Sequence, residues 1–293
     1  MAKPIVKWAG GKSRLLPELL SRVPTSIRTY AEPFAGGAAL FFAVADDRTR
    51  CFESAVLSDQ NAELVACYRA VRADVEGVIK ALGRYRYDRD LFYETRDRDP
   101  SALPDVERAA RLIFLNRTCY NGLWRVNAGG KFNVPFGRYK NPRILDDEGL
   151  RAASLLLARA SIDVKDFMEV TRELGARDFV YLDPPYVPLS KTASFTAYAS
   201  RGFGPADQVR LAEELGALRE RGVLAMLSNA DTEETRALYA GFAIHVVEAP
   251  RAINSDPTKR GGVSEIVVLN WGEPGTFEKR RLLASAARPA PRV

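Results

Sequence analysis

Four short apolar segments, each followed by turn residues, place the strongest constraint on how this chain can fold. They are Thr29–Phe34, Ala55–Ser58, Phe179–Leu182 and Val223–Leu227. Short apolar runs that end at glycine, proline, aspartate or asparagine are typical of strands buried on both faces of a parallel sheet. Helical patterns lie between some of them, as at Ala206–Arg221, where leucines recur on one face. This alternation predicts an α/β fold in which helices cover both faces of the sheet.

The middle of the chain interrupts this alternation. Between Asn61 and Arg151, helical patterns are followed by a stretch rich in glycine and asparagine, without a clear buried strand. Towards the end of the chain, His245–Ala249 and Glu265–Trp271 are predicted to form a terminal strand pair. We therefore predict one discontinuous α/β domain, at residues 1–60 and 152–293, with an inserted module at residues 61–151.

Composition argues against several classes of protein. Among the 293 residues are three cysteines without CxxC spacing and a single histidine, so neither a disulfide framework nor a zinc site is expected. No run approaches the ~18 apolar residues of a membrane span, and no signal peptide is recognisable. We expect a soluble cytoplasmic protein that holds no metal. The formal net charge of +6 favours an anionic partner.

The first motif, Lys7-Trp8-Ala9-Gly10-Gly11-Lys12-Ser13, ends like a phosphate-binding P-loop. A P-loop needs a glycine where Val6 stands, so that interpretation fails. What remains is a glycine turn flanked by two lysines and an indole ring, which suits an anionic or aromatic ligand. An ordinary turn with solvated lysines explains the motif equally well.

The second motif, Glu32-Pro33-Phe34-Ala35-Gly36-Gly37-Ala38, lies between the first predicted strand and an apolar helical run. Glycines at the end of a strand let a ligand approach the backbone closely. Asp59 ends the next strand, 22 residues after Gly37. A carboxylate about 20 residues beyond such a loop typically binds the ribose hydroxyls of an adenosine-type cofactor. Together these features favour an adenosine ligand over a plain turn.

The third motif, Asp183-Pro184-Pro185-Tyr186, directly follows a predicted strand and so lies at the sheet edge where ligands bind. Neither proline has an N–H, and the carbonyls of Asp183 and Pro184 can point into a site. A carboxylate and a carbonyl that accept both protons of an aromatic amine would free its lone pair to attack a sulfonium methyl group. Tyr186 supplies a ring on which a base can stack. We predict chemistry on a nucleobase amine here.

Residues 108–144 contain no acidic residue but eight basic ones, which exceeds the net charge of the whole chain. The basic residues are Arg108, Arg111, Arg117, Arg125, Lys131, Arg138, Lys140 and Arg143. Interleaved aromatic residues, as at nucleic-acid surfaces, are Phe114, Tyr120, Trp124, Phe132, Phe136 and Tyr139. Asn121-Gly122 and Gly129-Gly130 are hairpin-type turn signals, and a two-stranded ribbon fits the DNA major groove. This segment is predicted to bind DNA.

These segments together closely resemble the Dam-type family of DNA adenine methyltransferases. The matching pieces are KWAGGK (7–12), EPFAGG (32–37), the strand end at Asp59, NGLWRVN (121–127), GKFNVPFGRYKNP (130–142), YLDPPYVPLS (181–190), FTAY (195–198) and SNADT (228–232). They occur in the family's order and cover most of the chain up to about Trp271. The DPPY tetrapeptide is shared by many amino-methyltransferases, whereas FNVPFGRY is much narrower and points to Dam itself.

The resemblance implies a seven-stranded, Rossmann-like fold with a mostly helical DNA-binding module that carries a β-hairpin. It implies that S-adenosylmethionine is the cofactor, bound by Trp8, Lys12, Glu32, Phe34, Gly36, Gly37, Asp59 and Asp183 and, by a looser match, by Asp166 and Phe167. The implied catalytic residues are Asp183, Pro184, Pro185 and Tyr186. The implied contacts with double-stranded DNA are Lys7, Asn121, Leu123, Arg125, Asn133, Pro135, Arg138 and Tyr139. One departure is Ala38, where members commonly keep glycine.

On this basis we predict methylation of adenine N6 in GATC, by base flipping and one direct displacement, with no metal or covalent enzyme intermediate. An N4-cytosine methyltransferase would use the same amine chemistry. An RNA methyltransferase is a second alternative, although the hairpin fits A-form RNA poorly. A DNA-binding protein with a decayed catalytic site is the non-enzymatic alternative. The sequence leaves open the oligomeric state and the existence of a partner restriction endonuclease.

Overall fold

A computed structural model describes residues 3–186, 203–249, 263–273 and 278–280. Within these ranges eight strands form one sheet, in the order β3-β2-β1-β4-β5-β7-β6-β8. The strands are β1 (Ser26–Glu32), β2 (Cys51–Ser58), β3 (Ala160–Asp163), β4 (Phe179–Leu182), β5 (Leu224–Ala230), β6 (Ala243–Ala249), β7 (Val263–Leu269) and β8 (Glu278–Arg280). In this order the first five strands, β3, β2, β1, β4 and β5, pair in parallel, whereas β7 is antiparallel to β5 and β6. The α/β class and the terminal strand pair are confirmed, and the short β8 adds to the seven strands expected.

Helices connect these strands. Those in the described residues are α1 (Leu16–Leu20), α2 (Ala39–Asp46), α3 (Ala62–Ala73), α4 (Val75–Leu82), α5 (Arg89–Asp97), α6 (Asp105–Thr118), α7 (Asp147–Leu157), α8 (Phe167–Thr171), α9 (Pro205–Glu220) and α10 (Glu233–Leu238). Several of these helices begin after an N-cap side chain that accepts a backbone N–H of the first turn. The caps include Asn61 of α3, Asp74 of α4, Asp88 of α5 and Asp146 of α7.

The strands buried on both faces were the easiest to predict. Strand β4 has the predicted bounds, and all four of its residues are buried. Strand β3 has no counterpart among the predicted strands, because only Ala160 and Ile162 are buried and Ser161 is exposed. The first strand ends at Glu32 rather than Phe34, before Pro33, which has no N–H for a ladder hydrogen bond.

Side chains of β4 alternate between two apolar clusters, one on each face of the sheet. Phe179 and Tyr181 belong to the cluster that contains residues of α2, α3 and α6. Val180 and Leu182 belong to the other cluster, together with Leu211 of α9. Because successive strand residues point to opposite faces, this alternation places helices on both sides of the sheet, as predicted.

Residues 61–151 contain helices α3 to α6, a hairpin and the start of α7, which continues to Leu157. Leu64 of α3 and Phe114 of α6 belong to the same cluster as Tyr30 of β1, so this segment shares one apolar core with a face of the sheet. The segment is mostly helical and holds no named strand. Its helices therefore form a continuous support for the hairpin that follows α6.

The hairpin turns at Gly129-Gly130. The N–H of Asn127 donates to the carbonyl of Lys131 at 2.9 Å, and the N–H of Asn133 donates to Arg125 at 3.0 Å. Val126 pairs with Phe132, and Cys119 with Phe136, in two isolated bridges. The hairpin prediction is confirmed at this turn, whose Gly130 has a φ of +74°.

The other predicted hairpin turn, at Asn121-Gly122, was wrong. Asn121-Gly122 lies in a 3-10 turn, Tyr120–Gly122, directly after α6. Gly122 has a φ of +63°, and a Cβ atom there would lie 2.5 Å from Cδ of Lys7. The glycine is therefore needed for close packing against the N-terminal segment rather than for a hairpin.

Candidate active site

A cavity of about 600 Å³ opens at the carboxyl ends of the parallel strands. Its lining includes Glu32 at the end of β1, Asp59 just beyond β2 and Asp183 just beyond β4. Because the carboxyl ends of parallel strands meet at one edge of a sheet, these distant acids converge there. The volume is within the range of roughly 300–1,000 Å³ typical of small-molecule sites. The three sequence motifs therefore share one cavity.

Trp8 forms one wall of this cavity and packs on the glycine loop after β1. Gly36 has a φ of +45°, and a Cβ atom there would lie 2.7 Å from Cδ1 of Trp8. The indole also stacks on Trp124, with ring centroids 6.3 Å apart. Gly36 is thus required both by its backbone conformation and by the indole. Ala38, where the family commonly keeps glycine, is buried and has a φ of 50°, so an L-residue occupies the left-handed region there.

Asp59 supports the same loop. Its Oδ2 accepts the N–H of Gly36 at 2.9 Å, and its Oδ1 accepts the N–H of Asn61 at 2.8 Å. The hydroxyl of Tyr68 donates to the Gly36 carbonyl at 2.6 Å. Burial raises the pKa of Asp59, although the two N–H bonds oppose that shift. Asp59 therefore shapes the loop as well as lining the cavity.

Glu32 is more deeply buried than the other two acids, with 2% of its surface exposed. Its Oε2 accepts the hydroxyl of Tyr30 at 2.7 Å and the N–H of Phe41 at 3.1 Å. Burial raises the pKa of Glu32 to about 8, and the negative charge of Asp183 acts in the same direction. At neutral pH the side chain is therefore mostly protonated and can donate a hydrogen bond.

Asp183 is bonded through both carboxylate oxygens. Lys12 Nζ lies 2.8 Å from Oδ2, and the Ser228 hydroxyl donates to Oδ1 at 2.7 Å. The Ser228 oxygen lies 2.8 Å from the hydroxyl oxygen of Tyr181. Lys12 is only 4% exposed and also donates to the Gly10 carbonyl. Ser228, which lies in the SNADT segment, thus fixes the orientation of the carboxylate, a role that the sequence analysis missed.

Tyr186 presents its ring beside this carboxylate. Lys12 Nζ lies 4.7 Å from the ring centroid, and the Tyr186 hydroxyl donates to the carboxylate of Glu265. Burial raises the pKa of both Tyr186 and Glu265. Glu265 has no counterpart among the predicted site residues. An acid next to the apolar run Ile266–Leu269 of strand β7 is a signal that could have identified it.

Asp166 and Phe167 lie behind the cavity wall rather than in it. Asp166 begins α8, where its Oδ1 accepts the N–H of Met168 at 3.1 Å and its Oδ2 accepts Nε2 of Gln60 at 2.9 Å. The buried Phe167 stacks on Phe34, with ring centroids 5.5 Å apart, and Phe34 itself lines the cavity. Phe167 therefore holds Phe34 in place, and Asp166 holds Gln60, which also lines the cavity.

The basic segment is only partly a surface. Arg111 is 3% exposed and donates to the backbone carbonyls of Thr95 and Arg96. Arg117 donates to the Ile5 carbonyl, and Arg108 and Arg143 pair with Glu63 and Asp146. Phe114, Trp124 and Phe132 are buried. The expectation that these charges and rings lie at a nucleic-acid surface was wrong for Arg111 and for the three rings, because composition alone does not distinguish buried from exposed side chains.

The hairpin carries the exposed part of the predicted surface. The exposed basic residues of the hairpin and of the segment that follows it are Arg125, Lys131, Arg138, Lys140 and Arg143. Among the predicted DNA contacts, Asn121 and Pro135 are also exposed, whereas Leu123, Asn133 and Tyr139 are half-buried. Arg125 Nε donates to Oδ1 of Asn133 at 2.8 Å, which orients the guanidinium. Lys7 is exposed, and its Nζ lies 5.0 Å from the Tyr139 ring centroid.

A buried amide joins the cavity to this surface. Asn116 of α6 is fully buried and forms 2.8 Å hydrogen bonds with both the N–H and the carbonyl of Lys7. Its Nδ2 also lies 3.1 Å from the carbonyl of Gly122. Lys7 directly precedes Trp8, so one side chain sets the positions of a cavity wall and of the turn that carries Asn121. The sequence analysis did not single out Asn116.

Comparison with known proteins decides which family has this arrangement. Residues 8–253 match the family model of the D12 class N6 adenine-specific DNA methyltransferases. The chain belongs to this family. A Type II methyltransferase of Lactococcus lactis subsp. cremoris is 41% identical to this methyltransferase over 92% of the chain and 96% of the relative. A Type II methyltransferase of Methanocaldococcus jannaschii is 40% identical over 92% of the chain and 99% of the relative. The DNA adenine methylase of Serratia marcescens is 35% identical over 91% of the chain and 98% of the relative.

The methyltransferase is therefore an adenine-specific DNA-modifying enzyme, as the family resemblance implied. Family membership decides against the N4-cytosine, RNA and non-enzymatic alternatives. In the part of the chain that the structure describes, no helix is long and apolar enough to cross a membrane. The same residues contain no group of three or more His, Cys, Asp or Glu side chains arranged to hold a metal ion.

Proposed function

We propose that this enzyme methylates N6 of adenine in GATC within double-stranded DNA, and that the adenine leaves the helix to react. The observation that carries the proposal is the position of Lys12 Nζ, 2.8 Å from Asp183 Oδ2 and 4.7 Å from the Tyr186 ring centroid. The Lys12 ammonium thus stands where the amine of a flipped adenine would bind, next to the Asp183 carboxylate and with the base stacked on Tyr186. Lys12 must release Oδ2 before the base can bind there.

The residues around the cavity fit S-adenosylmethionine, which we propose as the methyl donor. Trp8 and Phe34 supply apolar walls for an adenosine group, and Asp59 supplies a carboxylate that can accept from ribose hydroxyls. The negative charge of Asp183 favours a cationic sulfonium nearby. When bound, this cofactor supplies an electrophilic methyl group on sulfur.

Asp183 and Pro184 provide the chemistry on the amine. Asp183 Oδ2 and the Pro184 carbonyl accept the two N–H protons, which draws the nitrogen out of conjugation with the ring. S-adenosylmethionine, held by Trp8, Phe34 and Asp59, would supply its methyl group to the freed lone pair and would keep the electron pair of the carbon–sulfur bond on sulfur. Asp183 Oδ2 is placed to take the proton that the nitrogen loses. Ser228 keeps this carboxylate in position throughout.

The exposed face of the hairpin and the N-terminal segment are proposed to read the DNA. Lys7, Leu123, Arg125, Pro135 and Tyr139 would contact the bases of GATC, with Asn121 inserted beside the flipped adenine. The contact between Lys7 and Tyr139 supports this grouping, because it places residues from both ends of the predicted set together. Arg125, held by Asn133, presents its remaining donors for a bidentate guanine contact.

Transfer of labelled methyl groups tests the proposal. We expect label in N6-methyladenine after incubation with a GATC duplex and S-adenosylmethionine, and none with a duplex in which the site is GTAC. Replacement of the target adenine by 2-aminopurine should give a rise in fluorescence on binding if the base leaves the stack. Label in both duplexes would reject GATC, and unchanged fluorescence would argue against base flipping.

We further propose that the enzyme protects DNA from a partner restriction endonuclease. The two relatives at 40% and 41% identity are both named Type II methyltransferases. Plasmid DNA from cells that express this chain should resist cleavage by an endonuclease specific for unmethylated GATC, and DNA from cells that express Asp183→Ala should not. Cleavage of both plasmids would reject a protective role at this site.

A further inference from the structure

Two buried amide side chains lie beside the catalytic turn. Gln208 of α9 is 4% exposed, and Asn229 near the end of β5 is fully buried. A buried amide destabilises the folded state by roughly 1–3 kcal/mol unless its polar atoms find hydrogen-bond partners. The partners of these two side chains therefore indicate what the fold uses them for.

The two amides form one directed chain of hydrogen bonds. The N–H of Ala230 donates to Oδ1 of Asn229 at 2.9 Å, and Nδ2 of Asn229 donates to Oε1 of Gln208 at 3.1 Å. Nε2 of Gln208 then donates to the carbonyl of Pro185 at 3.0 Å. Because Oε1 of Gln208 already accepts from Asn229, its NH2 group must face Pro185.

This chain ends on the backbone that carries the reacting groups. Pro184 and Pro185 have no N–H, so neither can donate a hydrogen bond to a neighbouring element. The Gln208 donor anchors the Pro185 carbonyl, and the Ser228 donor anchors Oδ1 of Asp183. With these two acceptors occupied, the target amine is directed to Asp183 Oδ2 and the carbonyl of Pro184.

We propose that Gln208, oriented by Asn229, is a positioning residue that fixes the peptide between Pro185 and Tyr186. It does not touch the base. It sets the direction of the Pro184 carbonyl and of the Tyr186 ring relative to the methyl group. This inference rests on the proposed function, because it assigns Gln208 to the same amine-binding corner.

Asn270 offers a matched control. It is also a buried amide, 3% exposed, and it bonds to the backbone at the other end of β5. Its Oδ1 accepts the N–H of Ala225 at 2.8 Å, and its Nδ2 donates to the Val223 carbonyl at 2.9 Å. Loss of either amide removes buried hydrogen bonds, but only Gln208 is bonded to the catalytic turn.

The test compares Gln208→Met with Asn270→Leu at a temperature where both variants are folded. We expect Gln208→Met to lower kcat by about 10- to 100-fold, since small misplacements of reacting groups have effects of that size. The KM for DNA and the Kd for S-adenosylmethionine should stay within about twofold. Asn270→Leu should lower Tm while kcat stays within about twofold. Equal kcat losses in both variants, or none in Gln208→Met, would overturn the positioning role.

Two further measurements separate this inference from the proposed function. Asn229→Ala should resemble Gln208→Met, and the double variant should lose little more, because both changes break the same chain; additive losses would contradict it. The 13C shift of the Pro185 carbonyl should change in Gln208→Met but not in Asn270→Leu, and an unchanged shift would contradict the contact. If the wild-type enzyme were inactive on every duplex, the proposed function would be rejected. The carbonyl shift would then still show whether Gln208 bonds to the Pro185 carbonyl.

Discussion

Lys12 Nζ and Asp183 Oδ2 lie 2.8 Å apart, in an ion pair whose lysine is 4% exposed and whose aspartate is 19% exposed. Removing one partner of such a pair leaves a poorly solvated charge. We expect Lys12→Met to reduce the free energy of unfolding by about 3 kcal/mol, measured by urea denaturation at neutral pH. Lys165→Met is the control, because Lys165 pairs with the exposed Glu173 at 3.4 Å and should change stability by about 0.5 kcal/mol or less. Equal losses would mean that Lys12 contributes only as an ordinary surface charge.

Glu32 should make stability depend on pH. Its carboxyl group has a pKa of about 8 in the folded enzyme and an ordinary pKa near 4.5 in the unfolded chain. Between these values the unfolded chain releases a proton that the folded enzyme keeps. The free energy of unfolding should therefore fall by up to about 1.4 kcal/mol per pH unit from pH 4.5 to 8, and no further above that.

Glu32→Gln isolates this contribution. The glutamine carbonyl can still accept from the Tyr30 hydroxyl and the Phe41 N–H, but the side chain does not titrate. Wild type and variant should have similar free energies of unfolding near pH 5. Towards pH 8 the wild type should lose stability through Glu32 and the variant should not, so the difference in favour of the variant should grow. If the free energies of unfolding of wild type and variant differ by the same amount at every pH in this range, Glu32 is already ionised in the folded enzyme at neutral pH.

The corner from Asp183 to Tyr186, which we propose to be catalytic, was predictable because its residues are consecutive in the chain. Asp183 and Tyr186 follow a strand buried on both faces, and the fold class alone places that strand end at the ligand edge of the sheet. Ser228, Glu265 and Gln208 reach the same corner from β5, β7 and α9. Their partners lie 23 to 79 residues away along the chain, so only the tertiary structure brings them together.

The segment predicted to bind DNA, residues 108–144, shows where prediction from the sequence fails. Its charges and rings were identified correctly, but the burial of some of them was not foreseen. Arg111 satisfies backbone carbonyls within the helical support, and Phe114 belongs to the core. A run of basic and aromatic residues on α6 has the same composition whether a given side chain faces solvent or the sheet. Only the packing of α6 against α3 and α5 distinguishes the two.

Gly36 and Gly130 form a matched pair of positive-φ glycines, at +45° and +74°. An alanine at Gly130 would meet nothing within 4 Å, so Gly130→Ala should cost only about 1–2 kcal/mol of stability for the left-handed backbone. At Gly36 the added methyl also meets the indole of Trp8, which must move from the cavity wall. We expect Gly36→Ala to weaken S-adenosylmethionine binding by at least ~10-fold, measured by calorimetry, and Gly130→Ala to leave it unchanged. Equal cofactor affinity in both variants would show that Trp8 is not part of that wall.

Arg125 and Lys140 should differ in how they bind DNA, although both are exposed on the hairpin side. Arg125 is oriented by Asn133 for a base contact, so Arg125→Ala should relax discrimination at one base pair by about 1–3 kcal/mol. Lys140→Ala should weaken GATC and non-cognate duplexes alike and reduce the salt slope of binding by about one. Arg108→Ala is the control within the same basic run, because Arg108 pairs with Glu63 and should leave the slope unchanged. Titrations at several salt concentrations separate these outcomes. An unchanged preference for GATC in Arg125→Ala, or a reduced slope in Arg108→Ala, would place the recognition surface elsewhere on the enzyme.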